Sequence, residues 1–131
     1  MPRLARFLWA LPNTAIGLVF VSLAHGTGGR VRRVAGALEA HGGVLPRLLR
    51  ALPIGARSGT AVTLGQVVLG SCADTLAVTR THERVHVAQY ERWGPLFLPA
   101  YAAASLWALV RGGDAYLDNR FEREARRIAG R

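Results

Sequence analysis

The segment from residue 74 to residue 93 places the strongest constraint on how this chain can fold. Apolar and uncharged side chains recur along it at spacings of three and four residues, the period of an amphipathic helix, and Gly94-Pro95 ends the pattern. The residues predicted to face inward are Val78, His82, Val85, His86, Gln89 and Trp93. Side chains four residues apart lie one above the other on a helix, so His82 and His86 are expected to point together into the protein, where they could hold one metal ion.

Residues 82–86 have the order H-E-x-x-H, which on a helix forms the zinc site of a large class of metallopeptidases. A catalytic zinc ion needs three protein ligands, an open position for water, and a base that accepts the proton of that water. Glu83 follows the first histidine, so its side chain is turned away from the metal but stays near the water. We therefore predict His82 and His86 as metal ligands and Glu83 as the general base.

The third ligand must be a downstream carboxylate, because no histidine follows His86. The candidates are Glu91, Asp114, Asp118, Glu122 and Glu124. Glu91 is predicted on the opposite side of the same helix and cannot reach the metal. Glu122 and Glu124 belong to a separate predicted helix, and side chains two positions apart point about 200° apart, so only one of them can face the histidines. Helical geometry alone leaves that choice open.

Three further helical segments are predicted. The sequence VLPRLLRAL at 44–52 indicates a short helix whose apolar face consists of Leu45, Leu48, Leu49 and Leu52. The apolar run at 95–110 is broken by Pro99 and is too short to require a membrane span, so it predicts either a buried helix or one that dips into lipid. The last helix is expected to begin after an N-cap at Asp118 or Asn119 and to have the packed face Phe121, Ala125 and Ile128.

The order of these segments resembles a known family. HERVHVAQYERWGPLFLPAYAAASLWALV at 82–110, followed by DNRFEREA at 118–125, resembles the gluzincin group of zinc metallopeptidases, and especially its very small, minigluzincin-like bacterial membrane-associated members. The resemblance covers about residues 60–128. It implies a zinc cofactor, and because the E-x-x-A setting of that group matches residues 122–125, it implies that Glu122 is the third ligand.

The resemblance also implies that a further side chain forms a hydrogen bond with one of the histidine ligands. Members of the group often carry an acid four residues after the ligand glutamate, where it steadies a histidine. This chain has Arg126 at that position. Glu124, Asp118 or Asn119 is therefore expected to supply the hydrogen bond, and Gln89 is expected to brace its own helix.

A substrate cleft is implied as well. The extended segment before the active-site helix would line it, and a peptide or protein substrate could add to the edge of that segment as another strand. Tyr90 or Tyr116 could donate to an oxyanion, although aromatic packing is the commoner role of such side chains.

The segments before that helix predict a small amount of β-structure. Residues 30–41, RVRRVAGALEAH, fit a β-hairpin around Ala35-Gly36, although the same spacing would suit a helix face. Two β-branched runs, 60–64 and 66–70, flank Gly65 and predict either a bent strand or a tight hairpin.

The N-terminal run at residues 7–24, FLWALPNTAIGLVFVSLA, carries no charge and follows two arginines. Its length and basic flank favour a membrane anchor, although Pro12-Asn13 interrupts it and its length is near the lower limit for spanning. The alternatives are a secretory signal with a cleavage site at residues 22–24, and an apolar helix packed on a cytoplasmic domain. Arginines lie on both sides of the run, so its orientation stays open.

Composition limits the classes of partner. The chain of 131 residues is one domain by length, and its 17 basic residues are all arginines that give a net charge of +9. They are spread along the chain without a recognised nucleic-acid module, so we expect no nucleic acid and favour an anionic membrane surface. Cys72 is the single cysteine, which rules out an intrachain disulfide.

Taken together, these patterns predict an α+β fold that is mainly helical. An N-terminal apolar segment, 1–29, would anchor a minimal zincin-like metallopeptidase domain, 30–131, to the bacterial cell membrane. The domain would contain a short β-hairpin or sheet, the active-site helix, a second apolar helix and a C-terminal glutamate helix. The alternative function is a zinc-stabilised, non-proteolytic module that binds a membrane or a partner. The two differ in whether the fourth coordination position is open or closed by the protein.

Overall fold

A mixed four-stranded sheet with helices on both faces forms the centre of the protein. The computed structural model describes residues 3–34, 36–51 and 61–130. In chain order the elements are α1 (Arg3–Gly26), β1 (Arg30–Val34), β2 (Ala37–His41), α2 (Leu45–Ala51), β3 (Ala61–Leu64), β4 (Val67–Gly70), α3 (Ala73–Trp93), a 3₁₀ turn (Gly94–Leu96), α4 (Phe97–Val110) and α5 (Arg120–Ala129). The fold is α+β and mainly helical, which confirms the fold class expected from the sequence.

Both extended segments form hairpins. The strand order is β1-β2-β4-β3, with β1 antiparallel to β2, β3 antiparallel to β4, and β2 parallel to β4. In the second hairpin Leu64 pairs with Val67, so Gly65 and Gln66 form a two-residue turn. Gly65 has a φ of 63°, in the left-handed region that glycine adopts without a steric penalty, which explains why the chain turns tightly here.

Helices cover both faces of the sheet, so β3 and β4 are buried along their whole length. One face packs against α1 and α2 in a core that contains Ala24, Leu45, Leu49, Val62, Leu64, Val67 and Leu69. On the other face, Val68 packs with Leu76 and Val87 of α3. Successive strand residues point to opposite faces, so Thr63 is directed toward α3. The sheet therefore fixes α3 against β3.

Helix α3 confirms most of the predicted inward face, because Val85, His86 and Gln89 are buried. The prediction for Val78 is wrong. Val78 is 56% exposed, since Leu76 points at the sheet in that turn and a residue two positions later points about 200° away. Ser71 and Asp74 offer capping-box chemistry in the sequence, but Cys72 is the N-cap of α3, with no side-chain cap hydrogen bond. The predicted stop is confirmed, because the helix ends at Trp93 with Gly94 as its C-cap.

Helices α4 and α5 complete the domain around α3. Asn119 is the N-cap of α5, and its side-chain oxygen accepts a hydrogen bond from the Phe121 amide at 2.8 Å. Ile128 was predicted to be packed but is 59% exposed, because the buried contacts of α5 end at Ala125. An aromatic core cluster joins these helices to α1 and contains Ala10, Tyr90, Phe97, Tyr101 and Phe121.

In α2, Leu45 and Leu49 are buried and Leu48 is half-buried, while Leu52 lies outside the described residues.

Helix α1 has small and polar residues on its inward face and large apolar residues on its outward face. The buried residues are Ala10, Asn13, Thr14, Gly17 and Ala24. The exposed ones include Leu4, Phe7, Leu8, Trp9, Leu11, Ile16, Leu18, Val19 and Leu23. The helix continues through Pro12, contrary to the expected interruption. Two helical stretches, Arg3–Gly26 and Ala73–Val110, are long and apolar enough to cross a bilayer, a test that buried core helices and signal sequences also pass.

Candidate metal centre

Helices α3 and α5 bring the three predicted ligands together. His82 Nε2 lies 2.9 Å from Glu122 Oε1, and His86 Nε2 lies 3.1 Å from the same oxygen. One ligand atom from each residue lies within 4.8 Å of the others, and within the described part of the chain no second cluster of this kind is found. His86 and Glu122 are buried, while the side chain of His82 keeps 12% of its surface exposed.

The donor atoms fit a zinc ion. Zinc binds nitrogen and oxygen ligands at about 2.0–2.2 Å in a tetrahedral arrangement, which places neighbouring ligand atoms roughly 3.3–3.5 Å apart. The two observed separations, 2.9 and 3.1 Å, are only slightly shorter, as expected for atoms joined by hydrogen bonds. All three ligand atoms lie within 4.8 Å of one another, so side-chain adjustments of about 1 Å or less would bring them to this spacing. Two imidazoles and one carboxylate are also the ligand types that zinc accepts in catalytic sites.

Gln89 determines which nitrogen of His86 faces the cluster. Its Nε2 donates to the Phe121 carbonyl oxygen at 3.1 Å and to Glu124 Oε1 at 2.8 Å. Both partners are acceptors, so the amide oxygen of Gln89 must be the atom that lies 2.8 Å from His86 Nδ1. Nδ1 therefore carries a proton and donates it to Gln89. This leaves Nε2 as the nitrogen available to a metal ion.

The acceptor of the His86 hydrogen bond is thus the side-chain oxygen of Gln89, and not Glu124, Asp118 or Asn119, as the sequence suggested. Glu124 does not contact His86 in this way; it accepts a hydrogen bond from Gln89. Asp118 instead accepts a hydrogen bond from the Asp114 backbone amide. Asn119 donates to the Tyr101 carbonyl oxygen at 3.0 Å and so ties the start of α5 to α4.

The Tyr101 side chain on α4 is hydrogen-bonded to the other oxygen of the Glu122 carboxylate. Its hydroxyl donates to Glu122 Oε2 at 2.5 Å, so Oε1 is the oxygen directed at both histidines. Sequence reasoning missed this residue, because an apolar run predicts only packing. The available signal was that Tyr101 is the aromatic side chain with a polar atom at the middle of that run.

Glu83 lies on the same side of α3, close to the cluster. Its Oε1 accepts a hydrogen bond from the Thr63 hydroxyl at 2.8 Å. Glu83 and Glu122 both line a cavity of about 30 Å³, together with His86, Tyr101 and Tyr116. That volume is enough for one or two water molecules. The predicted base and the predicted carboxylate ligand therefore border one water-sized space.

His86 and Glu122 shift each other's pKa values in opposite directions. Burial alone would lower the pKa of His86, but the hydrogen bond and negative charge of Glu122, together with the charge of Glu83, outweigh it and raise the pKa to about 9. Burial alone would raise the pKa of Glu122, yet hydrogen bonds from His82 and His86 hold it well below its usual range. A buried carboxylate that keeps its negative charge between two imidazoles is suited to binding a cation.

The pKa of Glu83 shifts in the opposite direction to the pKa of Glu122. Burial raises the pKa of its carboxyl group, and this effect exceeds the lowering by the nearby histidines and by the hydrogen bond from Thr63. A raised pKa means that this carboxyl group holds a proton more readily than an exposed glutamate does. The two glutamates of the site are thus differentiated by their environments, which favour the anionic form of Glu122 and the protonated form of Glu83.

The other candidate residues lie outside the cluster or are engaged elsewhere. Glu91 accepts a hydrogen bond from Gln66 at 2.6 Å. The Tyr90 hydroxyl donates to the Thr63 carbonyl oxygen at 2.8 Å, and Tyr116 lines the cavity beside Glu122 without being one of the three clustered residues. Strand β3 is the edge strand of the described sheet beside the cavity, but all four of its residues are buried.

No protein-family model, curated protein sequence or solved structure matches this chain.

Proposed function

We propose that the protein is a zinc-dependent hydrolase of peptide bonds, with His82, His86 and Glu122 as zinc ligands and Glu83 as the general base. The observation that carries this proposal is the meeting of two imidazole nitrogens and a carboxylate oxygen within 4.8 Å, beside a cavity that Glu83 also lines. The gluzincin-like H-E-x-x-H and E-x-x-A segments support the same chemistry.

The residues of the chain have separate roles in this reaction. A bound zinc ion would polarise the scissile carbonyl group and acidify a water molecule. Glu83 accepts a proton from water and delivers it to the leaving amine. Because Thr63 holds Glu83 Oε1, Oε2 is the oxygen available for this transfer. Gln89 and Tyr101 keep the His86 ring and the Glu122 carboxylate oriented toward the metal position.

The first experiment measures zinc and peptide cleavage in the same set of variants. Wild-type protein should contain close to one zinc ion per chain, and His82→Ala and His86→Ala should lose most of it. His25→Ala, which changes a histidine at the end of α1, is the matched control and should retain the metal. Full zinc content in the His82→Ala/His86→Ala double variant would refute the site.

Glu83→Gln separates the base from the ligands. The amide cannot accept or return a proton, so this variant should retain zinc but lose cleavage of a mixed peptide library. If Glu83→Gln loses zinc instead, Glu83 is a ligand and the assigned roles are wrong. If wild type binds zinc but cleaves no peptide in the library, the hydrolase proposal fails while the metal site stands.

We further propose that α1 attaches the protein to a bacterial cell membrane through its outward face. Interfaces between helices inside lipid are formed by small residues, whereas large apolar residues face the acyl chains. Helix α1 follows this distribution, with Ala10 and Gly17 inward and Leu11, Ile16 and Val19 outward. A core helix of a water-soluble domain would bury the large residues.

Membrane attachment can be tested by fractionating cells that express the full chain. Wild type should remain with the membranes after a high-salt wash and dissolve only in detergent. The triple variant Leu11→Gln/Ile16→Gln/Val19→Gln should move to the soluble fraction, whereas the apolar control Leu11→Met/Ile16→Leu/Val19→Ile should not. Wild-type protein in the soluble fraction would refute the attachment.

Two observations favour a second function, a metal-stabilised module that does not cleave peptides. The cavity beside the metal centre holds only about 30 Å³, and every residue of the edge strand β3 is buried. The cobalt-substituted protein discriminates between the two functions, because its visible spectrum reports the coordination number. Acetohydroxamate should change the spectrum of an enzyme with an open coordination position. An unchanged spectrum would support the closed module.

A further inference from the structure

An open groove rich in arginine lies between the C-terminal half of α3 and helix α5. Its volume is about 770 Å³, and its charged lining consists of Arg92, Arg120, Arg123, Arg126, Arg127 and Glu124. Trp93 and Phe121 form its aromatic part. Five guanidinium groups and one carboxylate give the groove a formal charge of +4. A concave surface of one sign attracts a ligand of the opposite sign.

The single carboxylate neutralises little of this charge. Glu124 Oε1 is occupied by the amide of Gln89. Its Oε2 lies 4.0 Å from both Arg92 and Arg127, whose side chains are 65% and 76% exposed. Ion pairs this long and this exposed contribute almost nothing. The Arg120 guanidinium lies over the Phe121 ring, 5.4 Å from its centroid, which orients it without cancelling its charge.

The groove adjoins the outward face of α1. Trp9 Nε1 donates a hydrogen bond to the Arg92 carbonyl oxygen at 3.2 Å. The Trp9 ring also packs so closely on Gly94 that a Cβ atom there would lie 2.3 Å from the indole. Trp9 itself is 40% exposed and belongs to the row of outward apolar residues on α1. A cationic groove, an indole and an apolar helix face therefore follow one another on the surface.

We infer that this groove binds the phosphate headgroup of an anionic phospholipid whose acyl chains lie along the outward face of α1. Planar guanidinium groups form paired hydrogen bonds with phosphate oxygens. Tryptophan favours the boundary between headgroups and acyl chains. A soluble polyanion would bind the arginines but would make no apolar contact with the exposed Phe7, Leu8 and Leu11. A phospholipid would make both kinds of contact.

This inference rests on the membrane attachment of α1 proposed above, but not on zinc or on peptide hydrolysis. It differs from attraction by overall charge, because it assigns the binding to the arginines of one groove. The chain provides a matched comparison. Arg123 and Arg127 are exposed in the groove, and Arg47 and Arg50 are exposed on α2, so glutamine at either pair removes the same charge.

The experiment titrates short-chain dioctanoyl phosphatidylglycerol and dioctanoyl phosphatidylcholine into the full chain in neutral detergent micelles. Wild type should bind the anionic lipid at least tenfold more tightly than the zwitterionic one. Arg123→Gln/Arg127→Gln should weaken phosphatidylglycerol binding by at least tenfold, since each arginine contributes about fivefold. Arg47→Gln/Arg50→Gln should have little effect. Circular dichroism should show that both double variants keep the helical content of wild type.

Three results would overturn the inference. Equal weakening in both double variants would mean that the lipid responds only to net charge. Equal affinity of wild type for the two lipids would mean that no headgroup is recognised. Inorganic phosphate that displaces phosphatidylglycerol at comparable concentration would mean that the groove takes free phosphate rather than lipid. None of these results affects the fractionation experiment on α1, so the two proposals fail separately.

Discussion

Replacing Gln89 by alanine should weaken zinc binding although Gln89 is not a ligand. The substitution removes the acceptor that holds the His86 Nδ1 proton and the two donor bonds that orient the amide. Without the acceptor, the ring is free to rotate or to change tautomer, and Nε2 no longer faces Glu122. Loss of such a supporting hydrogen bond costs about 10- to 100-fold in metal affinity. That corresponds to about 1.4–2.7 kcal/mol.

The same substitution should also destabilise the zinc-free protein. Three hydrogen bonds disappear, and each contributes about 1 kcal/mol net, with an added cost for buried groups left without partners. We expect the free energy of unfolding to fall by about 2–4 kcal/mol. Gln66→Ala is the control, because it removes one glutamine hydrogen bond to Glu91 on the far side of α3 and should leave zinc affinity unchanged.

Zinc affinity is measured by competition with a chelating dye, and the tautomer of His86 by nitrogen-15 NMR of the imidazole rings. In wild type with zinc, His86 should carry its proton on Nδ1. The reasoning is refuted if Gln89→Ala folds and binds zinc as tightly as wild type. It is also refuted if Gln66→Ala loses as much affinity as Gln89→Ala, because the effect would then reflect general destabilisation.

Three more predictions concern the same centre. Glu122→Ala should reduce zinc affinity far more than Glu124→Ala, which acts only through Gln89; a larger effect of Glu124→Ala in the dye assay would reverse the assignment. Tyr101→Phe should keep the fold but lower zinc affinity severalfold, because Glu122 Oε2 loses a charge-assisted bond; unchanged affinity would contradict this role. In zinc-free protein, the His86 pKa of about 9 exceeds its ordinary 6.5, so the stabilisation it provides is present below pH 6.5 and lost as pH rises to 9. Denaturant titrations across that range should show a fall of at most about 1.4 kcal/mol per pH unit, and a rise would be inconsistent with the shift.

The sequence was sufficient for the parts of the fold that local chemistry determines. Gly65 between two β-branched runs predicted a bent strand or a tight hairpin, of which the structure has the hairpin, and Gly94-Pro95 predicted the end of α3. The N-cap Asn119 was one of two predicted residues, and its side chain does cap α5. Two of the wrong predictions concern helix faces: Val78 lies on the opposite side of α3 from Leu76, and Ile128 lies where α5 extends beyond its packing partner. A periodic pattern cannot show where that partner ends.

The supporting contacts of the centre could not be predicted because they depend on how distant segments meet. Gln89 was expected to brace α3, but its partners on α5 are 32 and 35 residues away in sequence. Thr63, which holds Glu83, belongs to a strand 20 residues earlier. Tyr101 looked like one aromatic residue in an apolar helix. Thr63 and Tyr101 are polar within apolar segments and Gln89 is polar on the inward face of α3, and that is the signal a sequence can offer.

The choice between Glu122 and Glu124 shows why helical geometry alone was insufficient. Both residues flank the buried line of Phe121 and Ala125, and the structure uses both, with Glu122 directed at the histidines and Glu124 at Gln89. The rotation of α5 decides which carboxylate occupies which side. Asn119 fixes that rotation, because it caps α5 and its amide donates to the Tyr101 carbonyl oxygen at 3.0 Å. Tyr101 in turn holds Glu122. The residue that sets the rotation of α5 and the residue that orients the ligand are thus hydrogen-bonded to each other, so the geometry of the centre depends on α4 although α4 contributes no ligand.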